Sequence, residues 1–489
     1  MPTTGKWYFE GTVTLRAGDA ILGISNSPIS SHYIGTASSG EHSYGGVGGA
    51  IYPSGTSTGY ATYTTGDIIS CAFDADNGEL YFAKNGAWQA SGDPANNSNP
   101  SFSGLTGTPY FFGVTAGNTG QWDVNFGQRA FAYTAPSGYK ALCTANLPDP
   151  TIADGSTAFD AKTFTANNGT QTISGFNFSP DLIWTKSRAN AYAHQLWDQV
   201  RGTNKALSPN DTSAEANLNN SLAFTSDGFT SGTNNNANYG SGGSIAWAWD
   251  AGSSTVTNTD GSISAQVRAN PSAGFSIVSY TGTGANATVS HGLNAAPELI
   301  IVKNRSTGSF SWPVYHISTG NGNRLYLELT NASSSGTNWN NTTPTSSVFS
   351  IGTNPDTSQS TDNFIAYCFA PVEGYSAMGS YTGNGSSDGT FVFTGFRPAF
   401  LMVKCTSITG HWLMLDAERN DANLVGNKVA SDLSGEENNS SVGAAGLNGF
   451  DFLSNGFKAR TNTGSSNSSG QTFIYAAFAE HPFKNSRAR

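Results

Sequence analysis

An all-β chain of several domains is predicted by three features of the sequence. Charged residues make up only 11% of the 489 positions, against about 25% in an average soluble protein. Gly, Ser, Thr and Asn fill the difference, a mix poor in helix formers and rich in strand and turn formers. Aromatic residues reach 12%, and apolar clusters recur at strand spacing along the whole chain, which a disordered chain does not do. The length suits three or four domains.

Within the first 147 residues the strands can be taken in order. Lys6-Trp7-Tyr8-Phe9-Glu10 opens, and Leu22-Gly23-Ile24 follows after a turn. Ile68-Ile69-Ser70-Cys71-Ala72-Phe73-Asp74 and Glu79-Leu80-Tyr81-Phe82-Ala83 flank the turn Ala75-Asp76-Asn77-Gly78, and Asn85-Gly86 makes a second turn. Asn-Gly favours two-residue hairpins because both residues tolerate positive φ, so a tight antiparallel meander is expected. Pro109-Tyr110-Phe111-Phe112-Gly113-Val114 and Trp122-Asp123-Val124-Asn125-Phe126-Gly127 read as two further strands.

This order of motifs, closed by Pro136-Ser137-Gly138-Tyr139, resembles a SPRY domain. The resemblance implies a bent β-sandwich over residues 1–147, with no catalytic chemistry of its own and variable loops that bind peptides or proteins. The candidate contacts are Tyr33, His42, Tyr44 and Trp88, aromatic groups with a polar handle in or beside those loops. Asp74, Asp76 and Glu79 mimic a calcium loop, but the 12-residue ligand pattern is missing and a hairpin turn explains them. No metal is expected.

A linker is expected at 148–160, and the chain then repeats itself. Ser179-Pro180-Asp181-Leu182-Ile183-Trp184-Thr185-Lys186 returns as Ala296-Pro297-Glu298-Leu299-Ile300-Ile301-Val302-Lys303 and as Arg397-Pro398-Ala399-Phe400-Leu401-Met402-Val403-Lys404. A Trp follows each (Trp197, Trp312, Trp412), and each copy ends in an apolar strand: Ile245–Trp249, Phe364–Ala370 and Phe473–Ala479. The copies span 161–252, 275–372 and 373–483, with a second linker at 253–274 and a basic tail at 484–489. The fold class is thus a SPRY-like β-sandwich followed by three tandem related β-sandwich-like domains.

Three readings of the repeats follow from residue type. The recurrent Lys186, Lys303 and Lys404 are expected to snorkel from strand ends or to pair with a nearby acid, so that replacement by Met costs less than about 1 kcal/mol. The Trp residues are expected in the core. Asn234–Asn238 and Asn338–Asn341 are expected on long surface loops.

Composition also bounds the chemistry. The net charge is −10 with no clustered Lys and Arg beyond Lys484, Arg487 and Arg489, a solvated terminus, so nucleic acid is not an expected partner. No run approaches 18 apolar residues and the first residues lack an apolar signal core, so neither membrane insertion nor export is expected. Cys71, Cys143, Cys368 and Cys405 form no C-x-x-C pair and read as buried free thiols. The seven histidines lack metal-ligand spacing. No cofactor fingerprint appears. Asp416, Glu418 and Asp421 form the one dense acidic cluster, expected to be a surface loop with Arg419 as local partner and without counterpart in the first two copies.

The repeats are similar to β domains of bacteriophage virion proteins, from the Tyr-Thr-Gly starts at Tyr280 and Tyr381, the Pro-Glu-Leu-Ile-Ile-Val-Lys strand and the closing apolar strands. The resemblance implies a non-enzymatic structural or adhesive protein on the virion surface, made in the host cytoplasm. A tail-fibre or receptor-binding role leads, with a capsid decoration or head-fibre protein and a glycan-cleaving tailspike as alternatives. Implied partners are other virion proteins and a host cell-surface glycan or protein receptor. Homo-oligomers, trimers by resemblance to phage appendages, are also implied.

Overall fold

In the computed structural model the Asn85-Gly86 turn forms as expected, with φ of +48° and +80°. The structure describes residues 1–26, 33–35, 40–143, 146, 151–420, 422–443, 449–462 and 464–479. The chain divides into two compact units, Met1–Pro148 and Asp149–Arg489. It is all-β, with two single-turn α-helices among the described residues, Pro355–Ser358 and Gly464–Asn467. The basic tail and the first residues of the linker, 148–150, lie outside the described residues.

Among the described residues the first unit has ten strands: β1 (Lys6–Leu15), β2 (Ala20–Ser25), β3 (Glu41–Gly45), β4 (Ile51–Tyr52), β5 (Ile68–Asp74), β6 (Glu79–Lys84), β7 (Ala87–Trp88), β8 (Phe111–Ala116), β9 (Gln121–Asn125) and β10 (Lys140–Ala141). One sheet runs β10-β1-β5-β6-β7 with β9 also on β1, and the other runs β4-β3-β2-β8. Their facing sides bury Phe9, Leu22, Ile24, Tyr44, Ile69, Phe73 and Phe82, a SPRY-like β-sandwich. The calcium-like loop is a capped turn. Asp74 Oδ1 accepts from the amides of Asp76 and Asn77, both at 3.1 Å, and Lys6 Nζ sits 2.9 Å from Asp74 Oδ2. Glu10, though buried, is fully used: it accepts from Tyr8 Oη and from the amides of Ala132 and Tyr133, which pins that segment to the sheet.

In the second unit the first repeat holds β11 (Phe159–Thr165), β12 (Gln171–Ser174), β13 (Leu182–Ser187), β14 (Gln195–Asp198), β15 (Lys205–Ala206), β16 (Ala216–Asn217), β17 (Leu222–Thr225), β18 (Gly228–Ser231) and β19 (Gly243–Trp249). The stretch expected as the 253–274 linker instead folds as β20 (Thr255–Asn258) and β21 (Ala265–Asn270). The second repeat continues with β22 (Phe275–Thr281), β23 (Ala287–Ser290), β24 (Leu299–Asn304), β25 (Pro313–His316), β26 (Asn323–Tyr326), β27 (Ser334–Ser335), β28 (Val348–Ile351) and β29 (Asn363–Phe369). The third holds β30 (Ser376–Thr382), β31 (Phe391–Phe393), β32 (Pro398–Cys405), β33 (Trp412–Asp416), β34 (Val429–Ala430), β35 (Phe450–Leu453), β36 (Gly456–Ala459) and β37 (Thr472–Ala479).

Each repeat has one principal sheet of common order: β11-β19-β13-β14, β22-β29-β24-β25 and β30-β37-β32-β33. A smaller second layer covers one side: β12-β18-β17, β23-β28 and β31-β36-β35. The continuous apolar strands of the sequence follow from this, because the principal sheets are covered on both faces. Ile183, Ala246 and Ala248 point towards the small layer, while Leu182, Trp184, Trp247 and Trp249 point the other way, as strand alternation requires.

That other face is the reason the repeats do not behave as beads. One apolar cluster runs from Ile152 to Ala479 through all three copies. At its centre the equivalent residues Trp249, Phe369 and Phe478 form a closed triangle. Their ring centroids are 6.2, 5.9 and 5.6 Å apart. Leu182, Leu299 and Phe400 are their register partners. The void left between them is about 20 Å³ and apolar, so the centre is packed closed. A lone repeat would expose this face, and each large side chain uncovered forfeits about 1.5–3 kcal/mol.

Candidate functional site

The predicted contacts of the first unit do not assemble. Tyr44, on β3, is fully buried and donates to the carbonyl of Ala61. His42 is 9% exposed and packs on Phe102, with ring centroids 4.9 Å apart. Both are core residues, because β3 lies inside its sheet between β4 and β2. Trp88 is half-buried at the edge of the other sheet, against the Tyr8–Tyr81–Tyr139 cluster. Tyr33 is 43% exposed, the most accessible of the four.

The repeat lysines overturn their expectation. All three are fully buried, and their ammonium groups donate to main-chain carbonyls. Lys186 reaches Ser187 at 2.6 Å and Asn190 at 3.2 Å. Lys303 reaches Phe310 at 2.6 Å and Thr212, in the preceding repeat, at 2.9 Å. Lys404 reaches Gly410 at 2.8 Å, Cys405 at 3.0 Å and Thr330, again in the preceding repeat, at 2.9 Å. Loop carbonyls, not solvent, satisfy the charge, and burial pushes each ammonium down to about 8. Lys404 lies opposite Trp412 in register. The same register places Trp312 opposite Lys303 and His194 opposite Lys186. Trp197 instead faces Ile183, so matching by residue type aligned the wrong position of the first copy.

Asp416 is likewise no surface residue. It ends β33 fully buried and accepts from Arg419 Nε at 2.6 Å and Trp247 Nε1 at 2.9 Å. Its counterpart is Asp198 at the end of β14, which pairs with Arg201 Nε at 2.5 Å and accepts from Tyr367 Oη at 2.8 Å. Glu418 accepts from the amide and hydroxyl of Thr163 at 3.1 and 2.9 Å. Asp421 lies outside the described residues.

These groups belong to a cyclic set of junctions. Between the first and second repeats, Glu215 bridges Arg201 at 3.4 Å and Arg305 at 2.8 Å. Between the third and first, Glu437 bridges Arg419 at 3.0 Å and Arg188 at 2.8 Å. Between the second and third, the equivalent positions are His316, Thr319, Ser333 and Thr406. There the backbone bond is kept, from the Ser333 amide to the Thr406 carbonyl at 2.8 Å, as Glu215 bonds Arg305 at 3.0 Å and Glu437 bonds Arg188 at 2.9 Å. Every charge of the set is replaced together. His316 Nδ1 accepts from the Ser318 amide, which leaves Nε2 to donate to the Tyr475 carbonyl at 3.1 Å.

The Asn-rich loops are part surface and part internal: Asn234, Asn340 and Asn341 are exposed. Asn235, Asn238 and Asn338 are fully buried. Asn238 accepts from the Asn167 amide at 3.1 Å and donates to the Gly169 carbonyl at 2.7 Å, closing loop backbone that water does not reach.

One open cleft, of about 350 Å³, lies in the second repeat. Its walls are one face of β20 and the loops around Asn294 and Ser346. None of its residues stood out in the sequence, because small polar side chains in a Ser/Thr/Asn-rich chain carry no local signal.

These features define a two-unit all-β protein: a SPRY-like sandwich and a block of three repeats around one core. Comparison with protein families agrees. A model described as "Domain of unknown function (DUF7483)" matches residues 154–482 as one domain, and the chain belongs to that family. The SPRY domain model matches residues 6–129. Among solved structures, the chain is similar to the SPRY domain of human HERC1, with 18% identity over 26% of this chain and 79% of that one, at a TM-score of 0.22. It is also similar to a human SPRY domain, with 19% identity over 25% and 78%, at a TM-score of 0.19. No curated protein matches the chain.

Proposed function

We propose that this chain is a non-enzymatic structural and adhesive protein of a bacteriophage particle, with a tail-fibre or receptor-binding role. The observation that carries the reading is the fusion of the three repeats around one closed aromatic centre. Such a block is a rigid platform, and binding loops work best on rigid supports. The SPRY-like unit adds a second module of a type whose loops suit protein partners, either another virion protein or a host receptor. Weak contacts repeated over a particle would gain strength by avidity. Asp416 and Glu418, the carboxylates best placed by sequence for glycan cleavage, are both engaged in structural contacts, which supports binding over hydrolysis.

The test is location and attachment. Whole-particle density maps, with antibody fragments against the first unit as fiducials, should place the chain on a tail appendage and block adsorption to cells. Density on the capsid shell would assign a decoration role. Absence of the chain from purified particles would remove the proposal, and release of reducing ends from host polysaccharide by the purified protein would replace binding with hydrolysis.

A further inference from the structure

The β20–β21 hairpin is an addition to the second repeat. In the first and third repeats the principal sheet ends at β11 and β30, whereas in the second the hairpin extends it beyond β22. Its two faces have different tasks. On the back, Arg268 Nε holds Asp181 of the first repeat at 2.7 Å, and Gln266 donates to Thr257 at 2.9 Å. On the front, Ser254, Val256 and Asn258 fall at alternate positions and point into the 350 Å³ cleft. Asp260, in the turn, continues the same line.

The opposite wall is Asn294, Ser346 and Ser347, and Val267, paired with Val256, contributes to the apolar floor. Gly292 keeps the floor open. It has φ of +70°, and a Cβ there would stand 3.1 Å from Val267 Cγ1. The volume falls in the range of small-ligand sites, about 300–1,000 Å³.

We infer that this cleft is a binding site for a neutral sugar ring. The chemistry of the walls selects it. No Lys, Arg or His lines the cleft, and Asp260 brings a negative charge, so phosphate, sulfate and acidic sugars are disfavoured. One carboxylate falls well short of the six to eight oxygens a calcium ion takes. What remains is a short apolar floor beneath a rim of hydroxyl, amide and carboxylate groups. A pyranose presents the complement: a C–H face for Val256 and Val267, and vicinal hydroxyls that donate to Asp260 while accepting from Asn258 or Asn294. No hydrogen bond or ion pair among the described residues engages the Asp260 carboxylate or the Asn294 and Ser346 side chains, so binding displaces only water.

The inference deepens the adhesive reading and rests on it for the source of the ligand. Cleft binding and particle attachment are measured separately, so either can fail alone. The experiment is a ligand-observed NMR titration of the full chain. The probes are the methyl glycosides of glucose, galactose, mannose and N-acetylglucosamine, with glucose 6-phosphate as the anionic counterpart. At least one neutral glycoside should saturate, and the phosphate should bind more weakly. Asp260→Ala should weaken binding about tenfold or more, the loss expected for a hydrogen bond to a charged or fixed polar group, without lowering Tm. Asn258→Ala should weaken it likewise, with a small fall in Tm because Asn258 Oδ1 also accepts from the Asp260 amide at 2.8 Å. Thr257→Ala, on the back face, should bind like the parent. If none of the four glycosides saturates, or if Asp260→Ala and Asn258→Ala bind as the parent does, the site is not a sugar site. Tighter binding of the phosphate would overturn the inference equally.

Discussion

Asp416 of the third repeat accepts a hydrogen bond from the indole of Trp247 in the first, at 2.9 Å. This contact closes the ring of repeats, and Asp198 makes its equivalent to Tyr367 of the second repeat at 2.8 Å. Charge at the junctions is therefore a coupled set, not a collection of surface pairs. Arg201 and Arg419 are fully buried at their side chains, as are Asp198 and Asp416. Asp198→Asn or Asp416→Asn should cost about 3–5 kcal/mol by leaving a guanidinium uncompensated. Glu215→Ser with Arg305→Thr, which copies two of the four positions of the uncharged junction, should cost less than the sum of the single changes. Denaturant unfolding of the four proteins in a double-mutant cycle checks this, and additivity would show that the pair is not coupled.

Lys303→Met and Lys404→Met should each destabilise by about 2–4 kcal/mol, because two or three buried carbonyls lose their donor. The pH dependence has a definite sign. The folded ammonium groups titrate near 8, and the unfolded ones near 10.4. Between those values the unfolded chain holds more protons, so the lysine contribution to stability rises with pH. Urea midpoints at pH 7.5 and 9.5 should show that rise in the parent and a smaller one in either variant.

His316 carries a dependence of the same sign, at lower pH, at the uncharged junction. Burial pushes it down to about 4, against about 6.5 when unfolded. Its contribution is full above pH 6.5 and is lost as pH falls towards 4, because the unfolded imidazole binds the proton first. Glu298 is the nearby acid, held above the usual carboxylate range by burial. His316→Gln should lower Tm at pH 7 yet flatten the fall in Tm between pH 6.5 and 4.5. An unchanged slope would place the acid sensitivity elsewhere.

Residues 1–148 should fold alone with a cooperative melt, since its sheets and core lie inside that unit. Residues 149–252 should not, because Trp184, Trp247 and Trp249 would face water. Size-exclusion profiles and tryptophan fluorescence of the two fragments distinguish the outcomes. A monomeric, cooperatively folded first repeat would contradict the shared core.

Tyr44→Ala should cost about 3–5 kcal/mol, as an aromatic core deletion does, whereas Tyr33→Ala should cost less, because Tyr33 is 43% exposed. Thermal melts of the first unit separate them. A binding experiment on this unit should therefore vary Tyr33 and leave Tyr44 and His42 in place.

Much of this protein was legible along the chain. The Asn85-Gly86 turn, the apolar runs of β5 and β6 on either side of the Asn77-Gly78 turn and the threefold return of the Pro-to-Lys strand are local signals, because they depend on backbone propensity and on short apolar runs bounded by turn residues. The all-β class and the repeats follow from those signals alone. What lies beyond the sequence concerns which face of an element meets what. A strand apolar on both sides states that both are buried. It does not state that one faces its own second layer and the other two sister repeats. Only the packing shows that Trp249, Phe369 and Phe478 meet, that Lys303 and Lys404 cap carbonyls of a neighbouring copy, and that β20 turns Asn258 towards a cleft. These contacts join residues many tens of positions apart. They are decided by the fit of whole sheets, to which no local pattern of residues corresponds.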